Sequence, residues 1–183
     1  MRYVIGIDIS TTKTGLSVFQ IKDHKLIYKK HFLFEAEKAN YTKKSKMSKK
    51  EYKDKKHQEI RKRSLYMSQC ILDKLEIYCP EYIIVEDTYA QNDIHTLKWL
   101  SRLQGVILAF SLQSNCKLIF KTPSEWRKEV GIKTREGRKV LKRPILKEQA
   151  IQLVKKYYHL DVTDDEADAI LIGLSGQINL EKK

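Results

Sequence analysis

A chain of 183 residues, 42% hydrophobic and 32% charged, can bury one full core and is too apolar for a disordered polymer. Its formal charge of +13 points to an anionic partner. No window approaches about 18 apolar residues and the opening MRYVIGIDIS lacks the build of a leader, so neither a membrane span nor a secretory signal is expected. Cys70, Cys79 and Cys116 are odd in number and form no CxxC pair, which argues against a disulfide framework or zinc site and for a reducing, cytoplasmic compartment.

The first 34 residues predict a three-stranded antiparallel meander: a buried strand at 3–8 (YVIGID), then alternating patterns at 14–21 and 25–34 joined by a polar turn near 22–24. Residues 38–56 lack an apolar face and predict a lysine-rich loop or the frayed start of a helix. The helix proper carries Ile60, Met67, Ile71, Leu75 and Tyr78 on one face and stops at Cys79-Pro80. A short apolar strand, YIIVE at 82–86, belongs in the centre of a sheet.

A second helix is expected over 94–113, with Asn92 or Asp93 as N-cap, Leu100, Leu103, Val106, Ile107 and Phe110 inward, and Gly105 permitting close approach of another backbone. KLIFK at 117–121 is another strand, Thr122-Pro123 opens a short helix, and 131–143 has the composition of an exposed basic loop. Pro144 begins the next helix, and Asp164 or Asp165 is expected to cap the last one. The order implies one domain over 1–183, an α/β architecture with a mixed sheet flanked by helices.

Charge and carboxylates are segregated along this chain. Residues 38–63 carry a net charge of +9 and residues 117–147 carry +8, so the remainder sums to −4. That acidic remainder holds four residues of interest. Asp8 and Glu86 each end an apolar strand, and Asp165 and Asp168 are spaced i, i+3, which places both on one helix face. Singly, Asp8 reads as a turn residue, Glu86 as a strand terminus and Asp165 as a cap; Asp168, set among Ala167, Ala169 and Ile170, needs a partner for its charge. Together they form a site whose repulsion a divalent cation would relieve. Basic blocks for phosphates and carboxylates for metal suggest metal-assisted hydrolysis of a polyanion.

The opening GIDISTTKTG around Asp8, Glu86 at the end of its strand, and the Asp165/Asp168 pair within DEADAILIG resemble the RuvC-type Holliday junction resolvases of the RNase H-like superfamily, especially phage-type members. PSEWRKEVG and KEQAIQLVKKYY are similar to the same family, so the resemblance covers nearly the whole chain. The longer, more basic stretch at 38–56 is the departure.

The resemblance implies an RNase H-like fold with a five-stranded sheet, a homodimer, and paired symmetric nicking of four-way and possibly other branched DNA. It further implies two Mg²⁺ or Mn²⁺ ions held by Asp8, Glu86, Asp165 and Asp168, with Asp8 bridging them. Carboxylate oxygens suit such ions without Cys or His. Tyr89 matches a junction wedge, or packs under its loop; Lys147 matches a basic residue near the scissile phosphate, or is one surface lysine among many. Thr11, Thr12, Lys13, Lys133, Arg135, Arg138 and Lys139 are the candidate DNA contacts, and the setting is the cytoplasm of a bacterium or phage-infected host. Competing readings are another RNase H-like nuclease, a sugar-kinase or actin-like ATPase, whose second phosphate loop is missing, and a non-catalytic nucleic-acid module. DEAD is no helicase signature without a preceding GxxxxGK[ST] loop.

Overall fold

In the computed structural model, which describes residues 1–37, 48–88 and 94–177, the first strand shows how the sheet is clad. β1 (Tyr3–Asp8) sends Val4 to one face and Ile5 and Ile7 to the other, as the two-residue period of a strand requires. β2 (Lys13–Lys22) and β3 (Lys25–Glu35) complete the meander. Their connection is a two-residue turn, Asp23-His24, with φ of 49° and 60°, the primed geometry whose twist matches that of the flanking strands. β4 (Tyr82–Glu86) and β5 (Lys117–Lys121) then add in parallel, giving the order β3-β2-β1-β4-β5.

Helices cover both faces. On one, α1 (Lys49–Tyr78) and α2 (Ile94–Ser114) bury Met67, Ile71, Leu75, Leu103 and Ile107 against Ile5, Ile7, Leu16, Ile83 and Val85. On the other, α3 (Pro123–Glu129), α4 (Arg143–Tyr158) and α5 (Asp164–Ser175) pack Trp126, Ala150, Val154, Ile170 and Ile172 against Val4, Phe19 and Ile84.

Several expectations need correction. α1 begins at Lys49, capped by Ser48 and Glu51 in a reciprocal capping box. Of the two readings of the lysine-rich stretch, a loop or the frayed start of a helix, the part from 48 to 56 is the helix start, closed by its cap; an exposed helix needs no apolar face, so periodicity leaves the two readings open. Within 131–143, β6 (Arg135–Glu136) and β7 (Lys139–Val140) pair as a hairpin around Gly137, whose φ is 57°. α5 is capped by Thr163, through a capping box with Glu166, and not by Asp164 or Asp165. Gly105 is exposed, and a β-carbon added to it would meet no atom within 4 Å, so it admits no neighbouring backbone. Asn92, Asp93 and Tyr89 lie outside the described residues. No helix among the described residues is long and apolar enough to cross a membrane.

Candidate active site

Strand register sets the first two carboxylates. Ile7 pairs with Val85 across the parallel β1–β4 ladder, so Asp8 and Glu86, the next residues, leave the sheet side by side on strands about 4.8 Å apart. The second pair arrives on α5, which lies almost in contact with the sheet backbone. A β-carbon on Gly6 would stand 2.3 Å from the backbone nitrogen of Gly173, and one on Gly15 would stand 2.4 Å from the carbonyl oxygen of Asp165. Ser17 fixes this approach by donating a 2.7 Å hydrogen bond to the Ala169 carbonyl oxygen. Gly15 is also the antiparallel partner of Asp8. The glycine that admits α5 therefore brings Asp165 to Asp8.

These four residues line one cleft of about 810 Å³. Thr11, Thr12 and Lys13, from the β1–β2 turn, form one edge. Ser10 organises that turn: its backbone N–H donates to Thr14 Oγ1 at 3.1 Å, and the Thr14 hydroxyl donates back to the Ser10 carbonyl at 2.7 Å. Arg127 and Arg143 line it as well, and Thr96, Leu97 and Leu100 of α2 contribute another wall.

The electrostatics are those of negative charge held out of water. Burial raises the Asp8 carboxyl well above its usual range, reinforced by Glu86, Asp168 and Asp165. Burial also raises Asp168, to about 6, against the attraction of Arg127. Glu86 is raised by burial and eased by the Trp126 indole, Arg127 and Arg143. The positive end of the α5 dipole lies beside Asp165 and offsets part of this cost. No described residue hydrogen-bonds the carboxylates of Asp8 or Asp168, and no His or Cys among the described residues lines the cleft. Hard oxygen donors carrying uncompensated charge suit a divalent cation such as Mg²⁺ or Mn²⁺. As they stand these side chains do not close round an ion: among the described residues no three His, Cys, Asp or Glu are gathered tightly enough to hold one.

Lys147 pairs with Asp164 and stands 3.9 Å from Asp165, so it borders the acidic cluster as a charge partner and is not among the cleft-lining residues. Lys133, Arg135, Arg138 and Lys139 are exposed on and beside the β6–β7 hairpin, and none of them lines the cleft.

Three residues escape the sequence. Trp126 is completely buried and donates from Nε1 to Glu86 Oε2 at 2.7 Å. Arg127 stacks its guanidinium 4.8 Å from the Trp126 ring centre, with its Nε buried and without a partner among the described residues. Arg143 opens α4. Behind them, buried Lys121 reaches from β5 to Glu129 on α3 and donates a 2.8 Å hydrogen bond to the Ser175 carbonyl at the end of α5. The PSEWR motif was the available signal for Trp126 and Arg127; Arg143 had none beyond its place in a basic run.

No protein-family model matches this chain, and no curated protein matches it in sequence. Solved structures do. Thermus thermophilus RuvC in complex with a Holliday junction substrate superposes with a TM-score of 0.66 at 16% identity, covering 98% of this chain and 96% of that one. Fowlpox virus resolvase with substrate Holliday junction DNA gives 0.58 at 16% identity, covering 97% and 98%. The yeast mitochondrial Holliday junction resolvase gives 0.55 at 15%, covering 99% and 81%. The chain has the RNase H-like α/β fold of these structures, a mixed five-stranded sheet with helices on both faces.

Proposed function

We propose that this chain, acting over its whole length as one nuclease unit, is a divalent-metal-dependent endonuclease that resolves four-way DNA junctions by paired nicks. The observation that carries the reading is the convergence of Asp8, Glu86, Asp165 and Asp168 on one cleft in a chain of charge +13, on a fold shared with junction-bound resolvases.

On this reading the four carboxylates hold the metal, two ions per site, whose chemistry when bound is to supply a nucleophile at neutral pH and to compensate charge on the leaving oxygen. The chain's own groups do the rest. Arg127 and Arg143 line the cleft with the carboxylates and attract the phosphodiester that the acids alone would repel. Trp126 fixes one oxygen of Glu86, and Lys147 holds Asp165 and Asp164 at the mouth of α5. Thr11, Thr12 and Lys13 meet the backbone at the opposite edge, and Lys133, Arg135, Arg138 and Lys139 meet phosphates outside the cleft, with Tyr89 as the junction wedge. Leu108 and Leu112, exposed on α2, the helix that also bears Trp99, offer an apolar face for the homodimer that a two-fold-symmetric junction calls for. The setting is cytoplasmic.

The test is incubation with a labelled four-way junction, a linear duplex and an RNA–DNA hybrid, each with and without Mg²⁺. Mg²⁺-dependent symmetric cuts in the junction support the reading. Preferred cutting of the hybrid or the linear duplex would replace it with a simpler RNase H-like nuclease.

A further inference from the structure

α1 is far longer than the surface it covers. Its C-terminal residue Tyr78 packs edge-on against Tyr3, 5.5 Å between ring centres, so the end of the helix lies at the start of β1. Its N-terminus therefore points toward the end of β1, where Asp8 stands. From Tyr78 back to Ser64, the first buried residue, the helix rises about 21 Å, whereas β1 from Tyr3 to Asp8 spans roughly 17 Å. By Ser64 the sheet has been crossed, and another fifteen residues of helix remain. Every residue from Lys49 to Gln58 is exposed.

The exposed part carries an ordered chemistry. The buried ridge Ser64, Met67, Ile71 and Leu75 continues toward the N-terminus, at the same three- and four-residue steps, as Ile60, Lys56, Lys53 and Lys49. The face that is apolar over the sheet becomes cationic past it. Lys50 joins Lys49 and Lys53 around one shallow hollow. None of these four lysines forms an ion pair with a described residue. Like charges at such spacing weaken a helix slightly, and the turns that bear them are exposed, yet the end is closed by a two-way capping box, a device worth about 1 kcal/mol. A helix end that is capped and exposed, with a lysine ridge directed past the active-site end of the sheet, complements a linear array of phosphates.

We propose that Lys49–Gln58 is a preformed basic arm that lies along the backbone of one DNA duplex arm as it leaves the cleft. Lys56 to Lys49 overhang Ser64 by about 12 to 22 Å, which at roughly 3.4 Å per base pair places their contacts about four to seven base pairs from the cut. The arm rests on the DNA-nuclease reading above, and its helix spares the ordering cost that a lysine-rich coil pays on binding.

The test compares wild type with the combined variant Lys49→Gln, Lys50→Gln, Lys53→Gln, Lys56→Gln, which keeps strong helix formers throughout, and with the matching Lys→Arg set. Junction binding is measured in EDTA against salt, together with phosphate-ethylation interference. The Gln variant is expected to flatten the log K against log salt slope by about 2 to 4 and to lose interference four to seven base pairs from the exchange point, while the Arg variant keeps both and far-UV circular dichroism stays unchanged. An unaltered slope, or no interference in that window for wild type, overturns the arm. If wild type shows the arm-dependent slope and footprint on linear duplex but neither prefers nor cuts a four-way junction, the junction reading fails and the arm stands.

Discussion

The indole N–H of Trp126 donates to one carboxylate oxygen of Glu86 at 2.7 Å, and this single bond gives a fully buried tryptophan a direct hold on a cleft acid. Trp126→Phe keeps most of the ring and removes the donor. We expect the Mg²⁺ concentration for half-maximal cleavage to rise several-fold with the rate at saturating Mg²⁺ little changed, and stability to fall by about 1 to 3 kcal/mol, as for loss of a hydrogen bond to a charged group. A Mg²⁺ titration of cleavage beside urea denaturation reads both; an unchanged Mg²⁺ requirement would show the bond to be structural only.

Asp8→Asn and Asp168→Asn should each abolish cleavage while leaving junction binding equal or tighter, because each removes negative charge that repels phosphate. Gel-shift binding in EDTA and cleavage in Mg²⁺ separate the two effects. Retained cleavage in either variant sinks the proposed chemistry.

Stability without divalent cations should fall as pH rises. The Asp168 carboxyl is raised from 3.8 to about 6 by burial, so between those values the folded chain binds more protons than the unfolded one, and unfolding becomes easier as pH climbs through that window. The group's contribution is favourable below about pH 4 and lost above about 6, amounting to at most about 3 kcal/mol; Asp8 and Glu86 shift in the same direction. Melting curves at pH 5 and 7.5 in EDTA should show the decline, Asp168→Asn should flatten it, and Mg²⁺ at pH 7.5 should raise Tm. A Tm that climbs over this range in wild type but not in Asp168→Asn would contradict the assignment.

Gly6→Ala should destabilise the fold by several kcal/mol, since its β-carbon would overlap backbone atoms of Gly173 and Ala169 at 2.3 to 2.7 Å and backbone cannot swing aside as a side chain can. Gly105→Ala, on an open helix surface, should be neutral or stabilising by up to about 1 kcal/mol. Denaturation midpoints of the two variants check the contrast.

The sheet and the carboxylates were legible because both are written in local pattern. Strands of period two end at Asp8 and Glu86, and an i, i+3 pair on an apolar helix leaves Asp165 and Asp168 facing the same way. What was illegible depended on tertiary approach or on the absence of packing. Trp126 reads as ordinary core until its indole is found beside Glu86, forty residues earlier in the chain. Arg143 is one cation in a basic run until α4 turns it into the cleft. The cap of α5 was misplaced by one or two residues because Thr163, Asp164 and Asp165 are all good cap residues, and only the backbone decides among them. The first turns of α1 could be read only as one of two alternatives, loop or frayed helix start, because an exposed helix end has no apolar periodicity to decide between them.

Lys121 has a mechanical meaning that its chemistry does not announce. By tying Glu129 to the Ser175 carbonyl from within the sheet, it bolts α3, which steers Glu86 through Trp126, to α5, which bears Asp165 and Asp168. That side of the cleft is an anvil: its parts share one fastening and shift together. On the opposite face of the sheet α2 has its own tie to the same acid: Gln104 donates to the Glu86 carbonyl oxygen at 3.2 Å and accepts from the Thr88 hydroxyl at 3.0 Å, so the strand end that carries Glu86 is gripped from both faces.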